Sequence, residues 1–469
     1  MGLLFWPRGG SAQVVRYLVP ALAQVGWPSR LVCGSLGVPG APASASGFFD
    51  GLDVVPVDFS AALAAHEAGG DPLDQAVPLH PSFEDRDGAL DRVFATLDDR
   101  LLARQVGAWS RALDAAGAAG SDVIALHHLT PMNAAAALVA PQRPVVAHLH
   151  GTEMLMLEAI GRGAPAGWTH AGAWAARLRE WAGKAARLVV ASPRDRERAL
   201  ALFGAGSSIS IVAHGVDTDV FDRCHLSPAQ RLARWRRWLV EEPLGWDETG
   251  VAGTVCYADA DLAPLADPAL PVLLFVGRFT EPKRLPLLLR AYARARREHG
   301  LRAPLVIWGG HPGEWEGEHP VGVVRGERIE GVFFTGWHGH DELPGGLACA
   351  DVFVSPSVGE AFGQVFLEAM ACGVPVIAAR DGGPVSFVNR WPDEPNGWLV
   401  EPDDEDSLVA ALVESTSTST STSTGSAQER RARGAAGYRQ VRRHYSWSAA
   451  AAAVGQVYAE VVDGAPAVG

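Results

Sequence analysis

The chain is poor in the residues that would staple it or anchor it in a membrane. Its five cysteines, Cys33, Cys224, Cys256, Cys349 and Cys372, are odd in number, scattered, and never in CxxC spacing. That pattern excludes a disulfide framework and a thiolate zinc site, and it fits a reducing cytoplasm. No apolar run approaches the ~18 residues of a membrane-spanning helix, so none is expected. The opening MGLLFWPRGG has no charged region followed by a long apolar one, which predicts no export signal. Positive charge is also scarce: 40 Lys and Arg against 53 Asp and Glu give a net charge of −13. This argues against general nucleic-acid binding and leaves any anionic ligand to a focused local site.

What is present is a rhythm of short apolar runs separated by helix-length segments. Six runs occupy the first part: 2–7, 29–34, DVIALHH (122–128), PVVAHLHG (144–151), 187–192 and 209–215. A second series begins at residue 271 with PVLLFVG, APLVIWGG, VFFTGW, DVFVSPS, PVIAAR and NGWLV. Short continuous apolar runs read as strands buried on both faces of parallel sheets, so the expected class is α/β, with two doubly wound units in tandem. The stretch 222–270 breaks the rhythm and is taken as the interdomain linker or insertion, which leaves 1–221, 271–440 and a C-terminal helical piece 441–469 as the other divisions. The repeat STSTSTSTST (415–424) buries no apolar area and is expected to be a disordered surface loop.

Two stretches carry chemistry. In 359-GEAFGQVFLEAMACG-373 a strand ends near residue 357 and a helix follows. Glu360 therefore falls in a strand-to-helix loop, at the carboxyl edge where open α/β sheets bind ligands. The amides of Ala361, Phe362 and Gly363, with the positive helix end, would favour a phosphate there. Glu368, about two turns into the helix, can face the same crevice and accept sugar hydroxyls. An alternative makes Glu360 a helix-start acid and Glu368 a solvated face residue. In 276-VGRFTEPKRLPLLLRAYARA-295, Gly277 and Arg278 end a strand and Lys283 stands near the next helix. A guanidinium fork and an ammonium at one edge suit a diphosphate, although the two also read as an ordinary solvated charge pair.

Together with GGSAQVVRYLVPALAQVG, SPRDRERALALFG and VAHGVDTDVF, these stretches resemble family 4 of the retaining glycosyltransferases. The resemblance covers nearly the whole chain. It implies the GT-B fold, two Rossmann-like domains facing a central cleft, with the last helices around Trp447 returning to the first domain. It further implies that Arg278 and Lys283 hold the donor diphosphate, that Glu368 binds the ribose hydroxyls, and that Glu360 with the amides of 361–363 meets the donor sugar. Gly9 and Gly10 match the glycine loop beside the phosphates, and His150 matches the histidine next to the reacting sugar. The implied activity is transfer of a sugar, with retention, from a nucleotide-diphosphate donor, a UDP- or GDP-sugar foremost, to a hydroxyl of a small-molecule or glycoside acceptor. No resident cofactor and no metal are implied. A sugar-nucleotide 2-epimerase of the same fold, or a glycoside hydrolase or phosphorylase, are the alternatives.

The sequence departs from the family at Ser386, where Glu is frequent, and at His214, where Asn is usual. The segments 222–270 and 308–320 look longer than usual. His127, His128, His148 and His150 lie at adjacent strand ends without a familiar ligand spacing, and core or hydrogen-bonding roles are expected for His127 and His148. Asp217–Asp219 and Asp259–Asp261 form DxD strings that are expected to be structural. Donor base, acceptor and oligomeric state are not determined by the sequence.

Overall fold

The computed structural model describes residues 1–7, 9–41, 44–84, 90–204, 206, 208–417 and 427–464. The chain divides into two compact units, residues 1–215 with 447–469 and residues 216–446.

The first unit is built on seven parallel strands: β1 (Gly2–Leu3), β2 (Leu31–Ser35), β3 (Val54–Asp58), β4 (Ile124–His127), β5 (Val145–His148), β6 (Arg187–Val190) and β7 (Ile209–Ile211). Their order is β3-β2-β1-β4-β5-β6-β7. Alternate residues of one strand reach opposite faces. Along β4, Ile124 and Leu126 join one apolar cluster with Trp109 and Trp174, while Ala125 joins another with Val146 and Val189. That second cluster includes Trp447, Val454 and Tyr458 from the helix Trp447–Asp463, which packs on the helix Gly9–Gln24; Tyr17 and Trp447 stack 5.7 Å apart.

β3 is absent from the strands predicted from sequence. Its run VVPVD contains Pro56, which lacks the amide an interior strand needs. The structure places it at the sheet edge, paired only with β2 (Cys33↔Pro56), where the missing donor costs no ladder bond.

The second unit carries β8 (Leu273–Gly277), β9 (Leu305–Gly309), β10 (Val332–Gly336), β11 (Val352–Ser355), β12 (Val376–Ala379) and β13 (Gly397–Val400), again parallel, ordered β10-β9-β8-β11-β12-β13. The fold class is thus α/β with two Rossmann-like sheets. The stretch 222–270 lies within this unit. Its three tryptophans explain why it is anchored: Trp235, Trp238 and Trp246 are buried. Trp238 donates to Glu342 Oε2 at 2.7 Å, and Trp246 stacks on Phe279 and donates to the Gly310 carbonyl at 2.8 Å. Trp238 and Trp246 thus bury a large apolar area and still find an acceptor for the indole N–H.

The Ser/Thr repeat lies outside the described residues from 418 onward. Its first two residues correct the expectation of a loop beginning at 415. Ser415 and Thr416 end the helix Glu405–Thr416, are buried, and bond the Leu412 carbonyl at 3.2 and 2.6 Å. A hydroxyl that back-bonds to its own helix can be buried at low cost, and Arg430 caps the Ser415 carbonyl at 3.0 Å.

Trp246→Ala should destabilise the second unit by about 3–5 kcal/mol, the usual cost of emptying a tryptophan site. Trp315→Ala, at a side chain 38% exposed, should cost far less. Urea unfolding followed by tryptophan fluorescence and circular dichroism checks both; equal losses would contradict this account of how 222–270 is held.

Candidate functional site

In the second unit, β8 ends at Gly277 and the chain turns through Arg278 and Phe279 into the short helical turn Glu281–Lys283. Gly277 is in close quarters: its carbonyl accepts from the Gly310 amide at 3.0 Å, and a side chain at Gly309 would meet that carbonyl at 2.4 Å. Arg278 is exposed. Lys283 reaches across to β11 and pairs with Glu360, the two side chains 19% and 17% exposed. The Val358 amide donates to the Pro282 carbonyl at 2.8 Å, so the basic turn and the acidic loop are also joined by backbone.

The acidic loop is shaped by close packing. The helix begins at Gln364 with Gly363 as its N-cap, so Ala361, Phe362 and Gly363 lead into it rather than forming its first turn. Beneath them the Gly383 amide donates to the Glu360 carbonyl at 2.7 Å, and a side chain at Gly383 would meet Phe362 Cα at 2.3 Å. Gly382 also has φ +69°, so a glycine pair is required twice over, by conformation and by space. Asp381, just before it, accepts from the Gly359 amide at 2.6 Å. Glu368 is buried and accepts from His340 Nε2 at 2.9 Å. The structure therefore gives the two carboxylates different partners, Lys283 for Glu360 and His340 for Glu368. Asp381 and His340 were missed from sequence. A DGG after a strand was the available signal for the first, and nothing local marks the second.

Gly9, Gly10 and His150 belong to the first unit. Gly9 has φ +74°, opens the helix Gly9–Gln24, and like Gly10 is exposed with open space where a side chain would stand. His150 follows β5. Its Nε2 shares a hydrogen bond of 2.8 Å with His127 Nδ1, and its amide donates to Glu153 Oε1 at 3.2 Å. Glu153 is fully buried and also meets His128 Nδ1 at 3.3 Å. His127 stacks on His148, which meets the Tyr458 hydroxyl at 3.0 Å. Among the described residues no group of three or more His, Cys, Asp or Glu side chains is arranged to hold a metal ion. In the DxD strings, Asp217 accepts from the amides of Asp219 and Val220, Asp261 from that of Ala258, and Asp259 pairs with Arg236.

The family model described as Glycosyltransferase Family 4 matches residues 8–220, and that described as Glycosyl transferases group 1 matches 270–417. The chain belongs to glycosyltransferase family 4. Among curated relatives, a D-inositol 3-phosphate glycosyltransferase of Xylanimonas cellulosilytica is 30% identical over 60% of this chain and 58% of its own length. One of Catenulispora acidiphila is 35% identical over 42% and 44%. The matches thus span about half, or less, of the length of such relatives. A solved sucrose-phosphate synthase from Thermosynechococcus elongatus covers 98% of both chains with a TM-score of 0.62 at 20% identity. Anabaena HepE, solved with UDP and glucose, covers 99% of both at 0.60 and 17%. At these identities the solved structures establish the fold, GT-B.

In this family member four histidines of the first unit, His127, His148, His150 and His214, are biased towards the neutral form. Burial lowers the His148 pKa to about 3 and that of His214 to about 4, and burial followed by the neighbouring imidazoles puts His127 and His150 well below the usual 6.5. Since the folded state takes up protons less readily than the unfolded one, stability should fall as pH drops below about 6.5. The loss should continue towards pH 3–4, at up to about 1.4 kcal/mol per pH unit for each such histidine. Urea unfolding at pH 7.5 and 5.5 measures this. His148→Gln should flatten the slope, and an unchanged slope would mean that His148 titrates freely in the fold.

Proposed function

We propose that this chain is a retaining glycosyltransferase that moves a sugar from a nucleotide-diphosphate sugar, a UDP- or GDP-sugar foremost, to a hydroxyl of a small-molecule or glycoside acceptor. The observation that supports it best is Lys283 paired with Glu360 beside Arg278, all at the carboxyl edge of the second sheet. With donor bound, the diphosphate takes Arg278 and Lys283, and the sugar hydroxyls take Glu360 and the amides of 361–363. The ion pair is exchanged for two ligand contacts, so neither charge is stranded. Glu368 accepts the ribose hydroxyls, Gly277 lets the backbone approach, and Gly9 and Gly10 serve as the glycine loop. His150 is assigned to the reacting sugar on the family resemblance.

In the reaction the bond from anomeric carbon to diphosphate oxygen breaks and one to the acceptor oxygen forms on the same face. The acceptor proton passes to the departing phosphate oxygen, and no protein nucleophile is used. Arg278 and Lys283 stabilise the negative charge that develops on the leaving group, a preorganised electrostatic effect that often dominates catalysis. In this reading neither a metal nor a resident cofactor is required. Names of relatives such as the D-inositol 3-phosphate glycosyltransferases support a polar, hydroxyl-rich acceptor.

A melting-temperature screen with UDP, GDP, ADP and dTDP and their sugars tests the reading, since a ligand of the native state raises the midpoint. No response to any of them would overturn it. Arg278→Ala and Lys283→Ala should each weaken diphosphate binding about 10- to 100-fold, the worth of a hydrogen bond to a charged group. Glu360→Gln, by releasing Lys283, should bind the sugar-free diphosphate more tightly and lose its preference for the sugar-bearing form. Calorimetry reads all three variants, and unchanged affinities would remove the basis of the site.

Turnover should persist in EDTA and preserve the donor's anomeric configuration. Proton NMR of the product's anomeric coupling, with and without chelator, tests both. Inversion would overturn the retaining mechanism, and activity lost in EDTA and restored by magnesium or manganese would reveal a catalytic metal.

A further inference from the structure

We propose that His340 is a positioning residue for nucleotide recognition: its Nε2–H holds Oε1 of Glu368 and thereby aims the carboxylate that accepts the ribose hydroxyls. This rests on the reading of Glu368 given above. The pair spans 28 residues of sequence and 2.9 Å of space, with Glu368 5% and His340 21% exposed at the side chain. A carboxylate so deeply buried needs a donor, or it turns away towards water. A carboxylate turned away would leave a hydroxyl with a poorer acceptor.

His340 is itself held in place from two sides. It opens the short helical turn His340–Glu342 that follows β10 in the chain, and its ring lies 5.2 Å from that of the buried Phe221. A carboxylate offers about four acceptor directions over its two oxygens. One N–H occupies a single direction at Oε1, so Oε2 and the remaining lone pairs stay available for hydroxyls, now in one orientation. What the site requires of residue 340 is therefore one N–H donor at this height above the helix.

The experiment measures calorimetric affinity for UDP, GDP and ADP and for their 2′,3′-dideoxy counterparts, using the base that binds best. The wild-type protein should favour the ribose form by about tenfold or more, as expected for paired hydroxyls on a charged acceptor. Glu368→Ala should abolish that preference; if it does not, the ribose reading of Glu368 fails. His340→Phe keeps a ring against Phe221 but removes the N–H. It should reduce the preference several-fold while leaving dideoxy binding unchanged, and His340→Gln should restore part of it. A full preference in His340→Phe, or equal weakening toward ribose and dideoxy forms, would overturn the proposal. Melting temperatures of the variants establish that they are folded.

Discussion

Every strand in each unit runs parallel to its neighbours, and the rest of the structure depends on that constraint. Parallel ladders gather the carboxyl ends of all strands of a sheet on one rim, and with them the loops that lead into helices. In the second unit this brings the turn after β8, the glycines after β9, the histidine after β10 and the acid loop after β11 together. In the first it brings the histidines after β4 and β5 together. Chemistry contributed by residues tens of positions apart becomes local without any long irregular loop.

Placing charge at such a rim has a cost that the structure meets by pairing. Lys283 and Glu360 neutralise each other, and Glu368 takes an N–H donor from His340. His127, His148 and His150 of the first unit meet the same problem differently: burial favours their uncharged forms, with hydrogen bonds between His127 Nδ1 and His150 Nε2 and between His148 Nε2 and the Tyr458 hydroxyl. Stacked imidazoles are compatible only while neutral, because like charges at that spacing in a buried setting repel strongly.

The segment 222–270 is tied into the second unit at several points. Arg231 bonds Asp351 at 2.6 Å, the Phe334 amide donates to the Tyr257 hydroxyl at 2.9 Å, and Leu244 bridges to Gly336. Gly336, with φ +80°, would carry a Cβ 2.0 Å from the Leu244 carbonyl, so the segment and the end of β10 fit only through a glycine. Trp246 then fixes the Gly310 turn, which in turn bonds Gly277. A tryptophan of the segment 222–270 thus helps to set the backbone at Gly277, where β8 ends.

The amino-acid order by itself determined the fold class, because buried parallel strands are written as continuous apolar runs that need no partner to be legible. It also carried the motifs of the family, since Glu360, Glu368, Arg278 and Lys283 stand at fixed distances from strand ends. It did not reveal β3, whose Pro56 is acceptable only because the strand lies at an edge, nor that Ser415 and Thr416 finish a helix. The partners were out of reach as well. Lys283 meets Glu360 across 77 residues and His340 meets Glu368 across 28. Local spacing fixes which way a side chain leaves its own strand or helix, but strand order and the packing of neighbouring loops decide what it meets. Those are properties of the assembled sheet, in which each pairing is set by contacts distributed over the whole unit.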